Sequence, residues 1–325
     1  MSAPMSPWAI LRRDRTARAC GIVLTAIALL AILADALPFS DPGFVSTSRR
    51  YQAPSFSSVW EPAPRAASDV VGVWSVASRA IRLAVFGDYQ IGPILGTDEL
   101  GRCILSRTVF GSRLSLLAAL AAACVTLLVG TAVGTWAGWK GGRIETTIMR
   151  CVDLADSVPV VFVVIFAVSF LRASGITNPS AKVAVFFLTL GAVTWITMAR
   201  LVRAHARSLR EQGFIESSVA LGLTERRLVW KHLLPNLVPT MLVGMSLTIP
   251  RILLFESFLS FLGMGVESPD LSLGTLARSG FGAFNPIEPR AWLLAVPGIS
   301  LAALLLALNL LGDSIRDAFD PRLPR

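Results

Sequence analysis

Four ionisable side chains lie within long apolar runs of this sequence. Asp153 and Asp156 are three residues apart and therefore share one face of a helix, and Arg251 and Glu256 lie in a later run. An arginine at the centre of a bilayer costs about 2.5–3.5 kcal/mol, so such groups face a protein interior or a watery cavity. Two interpretations stay open. Either the four residues line a translocation path, or they form internal ion pairs, for example Arg251 with Glu256 or with an acid of a partner subunit.

The residue types that hydrolytic or metal chemistry needs are scarce. The chain has only two histidines, His205 and His232, and its four cysteines form no CxxC pair. The sequence contains no GxxxxGKS/T phosphate loop, no HExxH and no GxSxG motif. We therefore expect no catalytic, cofactor-binding or metal site, and a membrane enzyme would lack an evident nucleophile. The pattern is typical of a conduit or a scaffold.

The composition indicates a polytopic membrane protein. Of 325 residues, 54% are hydrophobic and 16% charged, and the mean hydropathy is +0.64. A soluble domain carries about 25% charged residues. The net charge of +9 would suggest nucleic acid in a soluble protein, but membrane proteins collect Lys and Arg in cytoplasmic loops, so we expect no nucleic-acid partner. Six apolar stretches are long enough to cross a bilayer as helices: residues 20–37, 114–139, 151–171, 183–203, 237–262 and 291–311.

The first stretch has two interpretations, and the Lys and Arg distribution sets the orientation. Basic residues precede 20–37 and an A-x-A site ends it at 34–36, which is a signal-peptide pattern. The run reaches about 18 residues, which favours a retained span. Most loop Lys and Arg fall on the side of the N-terminus, which predicts that residues 1–19 and 313–325 are cytoplasmic.

One long extramembrane segment, residues 38–113, separates the first two predicted spans. Prolines make 40–80 mostly irregular, with one short helix expected. Residues 81–92 predict a hairpin that turns near Gly87-Asp88. Residues 96–116 predict a capped amphipathic helix that runs along the outer surface into the second span, with Thr97 or Asp98 as the N-cap.

Gly130, Gly134 and Gly138 form a GxxxGxxxG pattern within the second predicted span. Small residues four apart lie on one helix face and let another backbone approach closely. The pattern therefore predicts a close helix contact, within the chain or between subunits, without naming the partner helix.

Residues 216–235 interrupt the apolar runs with a charged stretch. Glu216 predicts the start of a short helix, and Gly222 predicts a sharp break because glycine tolerates positive φ. A second short helix follows, with Leu228, Leu233 and Leu234 expected against the membrane base, and Pro235 and Pro239 are expected to redirect the chain into the fifth span. The segment thus projects a small knob, 219–224, suited to a groove in another protein.

The spacing from Glu216 to Gly222 and Leu234-Pro235 resembles the EAA loop of ABC importer membrane subunits. The sequence departs from that pattern with Ser217 and Ser218 for two alanines and His232 for an isoleucine. Further motifs in the same order make the chain similar to the C-type permease of dipeptide and oligopeptide importers: GTDELGR (96–102), SRTVFGSRLSL (106–116), MARLVR (198–203), KHLLPN (231–236), SFLSFLGMGV (257–266) and NLLGDSIRDAFDPRL (309–323).

The resemblance implies an all-α type I importer permease with six transmembrane helices in the inner (plasma) membrane. It implies a five-helix core over 114–312 with a cytoplasmic coupling loop at 206–236. A B-type permease, two cytoplasmic ATPases that use ATP and Mg, and an extracytoplasmic peptide-binding protein are the implied partners, beside membrane lipid; residues 96–107 and 264–290 could meet the binding protein. The residues implied to enter the ATPase cleft are Glu216, Ser217, Ser218, Ala220, Leu221, Gly222, Leu223 and Pro235.

Peptides are the main solute class of the family that the chain resembles, although its relatives also handle nickel chelates and glycoside or peptidoglycan fragments. A different class of protein remains as the alternative, an ion-coupled secondary transporter that uses the acids and the arginine in its apolar runs. Dependence on a separate ATPase, or on an ion gradient, distinguishes the two.

Overall fold

The computed structural model describes residues 7–56, 59–62, 73–175, 178–265 and 270–319, and these residues are predominantly helical. A two-stranded antiparallel sheet pairs β1 (Trp60–Pro62) with β2 (Tyr89–Ile91). The α-helices are, in chain order, α1 (Pro7–Arg13), α2 (Arg15–Ile32), α3 (Val73–Phe86), α4 (Ile104–Lys140), α5 (Gly142–Asp156), α6 (Val160–Ala173), α7 (Pro179–Arg210), α8 (Gly213–Ala220), α9 (Glu225–Leu228), α10 (Leu234–Phe261), α11 (Leu273–Gly282) and α12 (Trp292–Phe319).

Among the described residues, five helices are long and apolar enough to cross a membrane, and the number rises to six if α5 and α6 count as one bent span. Four of the predicted stretches fall largely within α4, α7, α10 and α12. The first predicted span is displaced, because α2 ends at Ile32 and residues 33–37 form turns. Asp35, within those turns, accepts a hydrogen bond from Arg113 at 2.8 Å.

The third predicted span, 151–171, is wrong as a single helix. It is divided between α5 and α6, which are bent by 73° relative to one another. Pro159 lacks an N–H and disfavours helical geometry at the residue before it, so the helix breaks after Asp156. The 14 residues of α6 span about 21 Å, less than a hydrocarbon core of about 30 Å.

Two predictions for the 38–113 segment are also wrong. Residues 81–86 belong to α3, so the strand after the Gly87 turn pairs with Trp60–Pro62 and not with 81–86. Neither Thr97 nor Asp98 caps a helix, because α4 begins only at Ile104. Asp98 instead accepts backbone hydrogen bonds from residues 100 and 102, both at 2.9 Å, and closes a turn. Short acidic side chains often stabilise such turns in competition with helix.

The chain divides into two compact units. The first comprises residues 1–20, 118–252 and 308–325, and the second comprises 21–117 and 253–307. In the first unit, apolar side chains of α7 pack against two leucines, one just before α10 and one in its first turn. The cluster contains Met198, Val202, Ala206, Leu209, Leu233 and Leu237. In the second unit, α11 begins with a capping box between Ser272 and Thr275.

Candidate functional site

The 206–236 loop forms a helical hairpin with an exposed tip. After α8 the chain turns at Gly222, which has a φ of +78°. The backbone N–H of Leu223 donates to the carbonyl of Ser218 at 3.3 Å, so α8 ends in a Schellman motif with Gly222 at its left-handed position. Leu221, beside it, is 81% exposed. The tip therefore offers an apolar side chain on a turn of fixed geometry.

Two serines before the tip have their hydroxyls bonded within their own helix. The hydroxyls of Ser217 and Ser218 both donate to the carbonyl of Phe214, at 3.1 and 2.7 Å, so the donor of each hydroxyl is already used within the helix. The helix begins at Gly213, three residues before the predicted start at Glu216. Glu216 and Ala220 are exposed, and Ile215 anchors the helix with 2% exposure.

The base of the loop packs on α7, and the expected position of Leu228, Leu233 and Leu234 partly against the membrane base stays a prediction. Leu228 and Leu233 are buried, and Leu233 belongs to the cluster that contains Met198 and Val202. This contact holds the second arm of the hairpin against a long helix. The second arm is therefore joined to α7 by a packed apolar contact.

Pro235 and Pro239 do not redirect the chain. Residues Glu225–Phe261 form one continuous 37-residue helix, in which Val229–Leu233 adopts π-helical geometry. The N–H of Leu234 bonds to the carbonyl of Val229, five residues back, and this changed register accommodates the proline that follows. The tip is thus joined to α10 by unbroken helix.

Polar contacts tie the hairpin to the end of α4. Glu225 accepts hydrogen bonds from the Trp139 indole at 2.5 Å and from Lys140 at 3.0 Å. Arg210, at the end of α7, donates to the Trp139 carbonyl at 2.8 Å. Arg203 pairs with the buried Glu145 of α5 at 2.6 Å. The ends of four helices meet in this network.

The three glycines of α4 face α7. A Cβ added at Gly130 would lie 2.6 Å from the Met198 Cβ, one at Gly134 would lie 2.5 Å from the Ala199 carbonyl oxygen, and one at Gly138 would lie 2.7 Å from the Arg203 carbonyl oxygen. The structure thus identifies the partner helix, which the pattern alone did not, and places the contact within the chain. Larger residues would push the two backbones apart.

The ionisable residues of the apolar runs divide into two arrangements. Asp153 and Asp156 both bind Arg200, each at 2.8 Å, at a partly exposed site. Arg251 and Glu256 do not pair, contrary to the example that the sequence suggested. Five residues along a helix turn the side chain by about 140°, so the two groups lie on different faces. Arg251 is exposed and forms no ion pair with any residue that the structure describes.

Glu256 is fully buried among serines. Its carboxyl oxygens accept hydrogen bonds from Ser115 at 3.0 Å, Ser257 at 3.2 Å and Ser260 at 2.8 Å. Two of these serines follow Glu256 closely in sequence and were a visible signal. The third, Ser115, comes from α4, and the sequence did not indicate its contact with Glu256.

Within the described ranges, no group of three or more His, Cys, Asp or Glu residues could hold a metal ion.

Comparison with known proteins identifies the family. Residues 130–325 match the model of the binding-protein-dependent transport system inner membrane component. The chain belongs to this family. The oligopeptide transport system permease protein OppC of Haemophilus influenzae is 36% identical over 227 residues, 70% of each chain. The dipeptide transport system permease protein DppC of Bacillus subtilis is 35% identical over 230 residues, 71% of this chain and 69% of that one.

A solved structure supports the same fold. A chain of the MetNI methionine ABC transporter in an inward-facing conformation aligns with a TM-score of 0.52 and 19% identity over 65% of this chain and 96% of its own length. The predicted all-α type I importer permease fold is therefore confirmed. The chain is a multi-pass membrane-spanning permease subunit of an ABC importer, and the ion-coupled alternative finds no support.

Proposed function

We propose that this permease is the C-type subunit of a peptide importer and forms half of its translocation path. The observation that carries the substrate class is the identity of 36% and 35% to permeases named for oligopeptide and dipeptide transport. These relatives are matched over about 70% of their own length, a stretch long enough to include most of a five-helix core. Peptides are thus the first solutes to test.

The loop tip is the proposed contact with the ATPase. An exposed leucine on a left-handed turn, flanked by small side chains, gives a compact shape that fits a groove in a partner. The packed base and the unbroken helix behind the tip support a lever function. In this proposal Pro235 lies at the base, and the tip residues that enter the ATPase cleft are Glu216, Ser217, Ser218, Ala220, Leu221, Gly222 and Leu223.

The assembly and its orientation belong to the same proposal. One B-type permease, two ATPases that bind ATP and Mg, and an extracytoplasmic peptide-binding protein complete the importer. Both termini, 1–19 and 313–325, and the 206–236 loop are cytoplasmic, whereas 38–113 and 264–290 face the other side. Within these segments residues 1–6, 57–58, 63–72, 266–269 and 320–325 lie outside the described part of the chain. The excess of Lys and Arg in the segments assigned to the cytoplasm supports this orientation.

The charged residues have different proposed roles. Asp153 and Asp156 form an ion pair with Arg200, which supports the internal-pair interpretation for both acids. Arg251 is exposed on a helix that could cross the bilayer, and an arginine that faces lipid is costly. We assign Arg251 to the interface with the partner permease or to the translocation path.

Reconstitution tests the proposal. The chain is co-expressed with its neighbouring permease and ATPase subunits, purified in mild detergent, and placed in liposomes with the binding protein. We expect uptake of labelled trialanine that requires ATP and the binding protein and is insensitive to a proton or sodium gradient. Uptake by this chain alone, driven by an ion gradient, would refute the proposal. ATP hydrolysis without uptake of di- or tripeptides would refute the substrate class alone.

A further inference from the structure

Glu256 connects three helical segments of the second unit. It lies on α10 and is 0% exposed, and its carboxyl oxygens accept hydroxyl hydrogen bonds from its own helix and from Ser115 of α4. A buried carboxyl group is costly unless hydrogen bonds satisfy it. The hydroxyls of Ser115, Ser257 and Ser260 do so here, and Ser272, the N-cap residue of α11, adds a fourth side-chain contact. The group therefore belongs to a completed internal network and does not lie open to a path in this conformation.

The network extends to the first turn of α11. Ser115 donates to Glu256 and at the same time accepts the backbone N–H of Leu273 at 3.2 Å. The first N–H groups of a helix have no partner within that helix, so this bond satisfies one of them. The carboxyl of Glu256 thus orients the Ser115 hydroxyl, and that hydroxyl holds the start of α11.

The packing around this relay is close. Ser115, Ser260 and Ser272 are each 0% exposed. A Cβ at Gly274, in the first turn of α11, would overlap the Ser257 carbonyl oxygen and lie 2.8 Å from the Ser260 Cβ. A movement of α11 toward α10 at this turn would therefore be opposed by the Ser257 backbone and the Ser260 side chain. The polar relay and the close packing therefore act on the same helix turn.

We infer that Glu256 is a positioning residue that fixes the first turn of α11 to α4 and α10, so that these segments move as one body during transport. The role of Glu256 in transport rests on the proposed importer function. The anchoring of α11 by Glu256 does not depend on that function. An apolar residue would fill the same space, but it could not orient Ser115 toward Leu273, and the hydroxyls around it would lose their acceptor.

Two serines of α4 give a matched pair of variants. Ser115→Ala removes the relay, whereas Ser112→Ala removes a buried hydroxyl one turn earlier that bonds only to the carbonyl of Val109 in its own helix. Glu256→Gln keeps the shape and an acceptor oxygen, and Glu256→Leu removes both acceptors. The full importer complex in lipid nanodiscs is used for all four. Hydrogen–deuterium exchange then measures the amides of residues 273–282.

We expect the amides of α11 to exchange about tenfold faster in Ser115→Ala and Glu256→Leu, because each lost hydrogen bond weakens the local anchor. Ser112→Ala and Glu256→Gln should stay within about twofold of the wild type. In liposomes, Ser115→Ala should take up less labelled trialanine per ATP hydrolysed, while ATP hydrolysis without binding protein is unchanged.

Unchanged exchange in both Ser115→Ala and Glu256→Leu would overturn the inference, and so would faster exchange with normal uptake per ATP. If Glu256→Leu does not assemble, Ser115→Ala still decides. A wild-type complex that hydrolyses ATP without taking up trialanine would count against the proposed peptide function. The anchoring would still be decided by the exchange comparison, so the two failures can be distinguished.

Discussion

Replacement of Gly222 tests whether the loop tip transmits the state of the ATPase. Its φ is +78°, a conformation in which a residue with a Cβ pays about 1–2 kcal/mol. No atom lies within 4 Å of an added Cβ, so the substitution creates no clash within the chain. The cost of Gly222→Ala is therefore conformational only. If docking needs this turn and the undocked loop relaxes out of it, the docked population should fall by up to about 5- to 30-fold.

The chain supplies two matched controls for this variant. Gly213 has the same open surroundings and no positive φ, so Gly213→Ala should be silent. Gly142 has open surroundings and a φ of +56°, so Gly142→Ala imposes similar backbone strain away from the tip. Gly222→Asn should recover part of the activity, because asparagine enters the left-handed region more readily than alanine. These variants separate the turn geometry from strain in general.

The assay is labelled trialanine taken up per ATP hydrolysed in liposomes that contain the full complex. We expect Gly222→Ala to lower this ratio and Gly222→Glu to abolish uptake, with the protein still inserted in the membrane. Normal coupling in Gly222→Glu would show that the tip does not dock. An equal loss in Gly142→Ala would show that backbone strain alone explains the effect.

Four further changes concern residues of the first unit. Gly134→Leu should destabilise the purified chain by about 1–3 kcal/mol in thermal unfolding, because the leucine side chain would enter the α4–α7 contact. Gly298→Leu is the control and should leave the unfolding free energy unchanged, because no atom lies within 4 Å of a Cβ added there. Glu225→Gln should reduce uptake per ATP by up to about fivefold, since it weakens a bond between the loop and α4; unaltered coupling would exclude that link. Arg200→Ala should shift the unfolding free energy by less than about 1 kcal/mol, because the ion pairs of Arg200 are partly exposed. A large loss of uptake at unchanged stability would instead favour a path-lining role for Asp153 and Asp156. Arg251→Gln should leave the isolated chain as stable as wild type in detergent but reduce its co-purification with the partner permease or its uptake, and an unaffected complex would contradict both assigned locations.

The long apolar runs were predictable because a helix that crosses a bilayer must be apolar over about 20 residues. Four of the predicted spans agree closely with α4, α7, α10 and α12. The break between α5 and α6 was not assigned, although Pro159 was visible, because a proline inside an apolar run can either kink a membrane helix or end it. The opposite error occurred at Pro235. A proline was expected to redirect the chain, but a π-helical turn before it changed the hydrogen-bond register and kept the helix continuous.

Contacts between distant segments were beyond the sequence. The glycine pattern of α4 defines a face that tolerates close approach, but spacing within one helix carries no information on which helix approaches. The serines next to Glu256 were visible, whereas Ser115 is 141 positions away and comes into contact only through packing. The Schellman turn at Gly222 was predictable because it depends on local geometry alone.

Arg251 and Glu256 lie on the same helix, but their side chains differ in burial and in hydrogen-bond partners. Glu256 has its hydrogen-bonding capacity met by serines of the same chain, so it needs nothing from outside. Arg251, on another face, finds no acid within the described residues. An uncompensated arginine toward lipid costs about 2.5–3.5 kcal/mol, which a stable permease would not retain without a counterpart. We therefore expect the face that carries Arg251 to meet protein or water in the assembled importer, whereas the Glu256 carboxyl already has its hydrogen-bond partners within this chain.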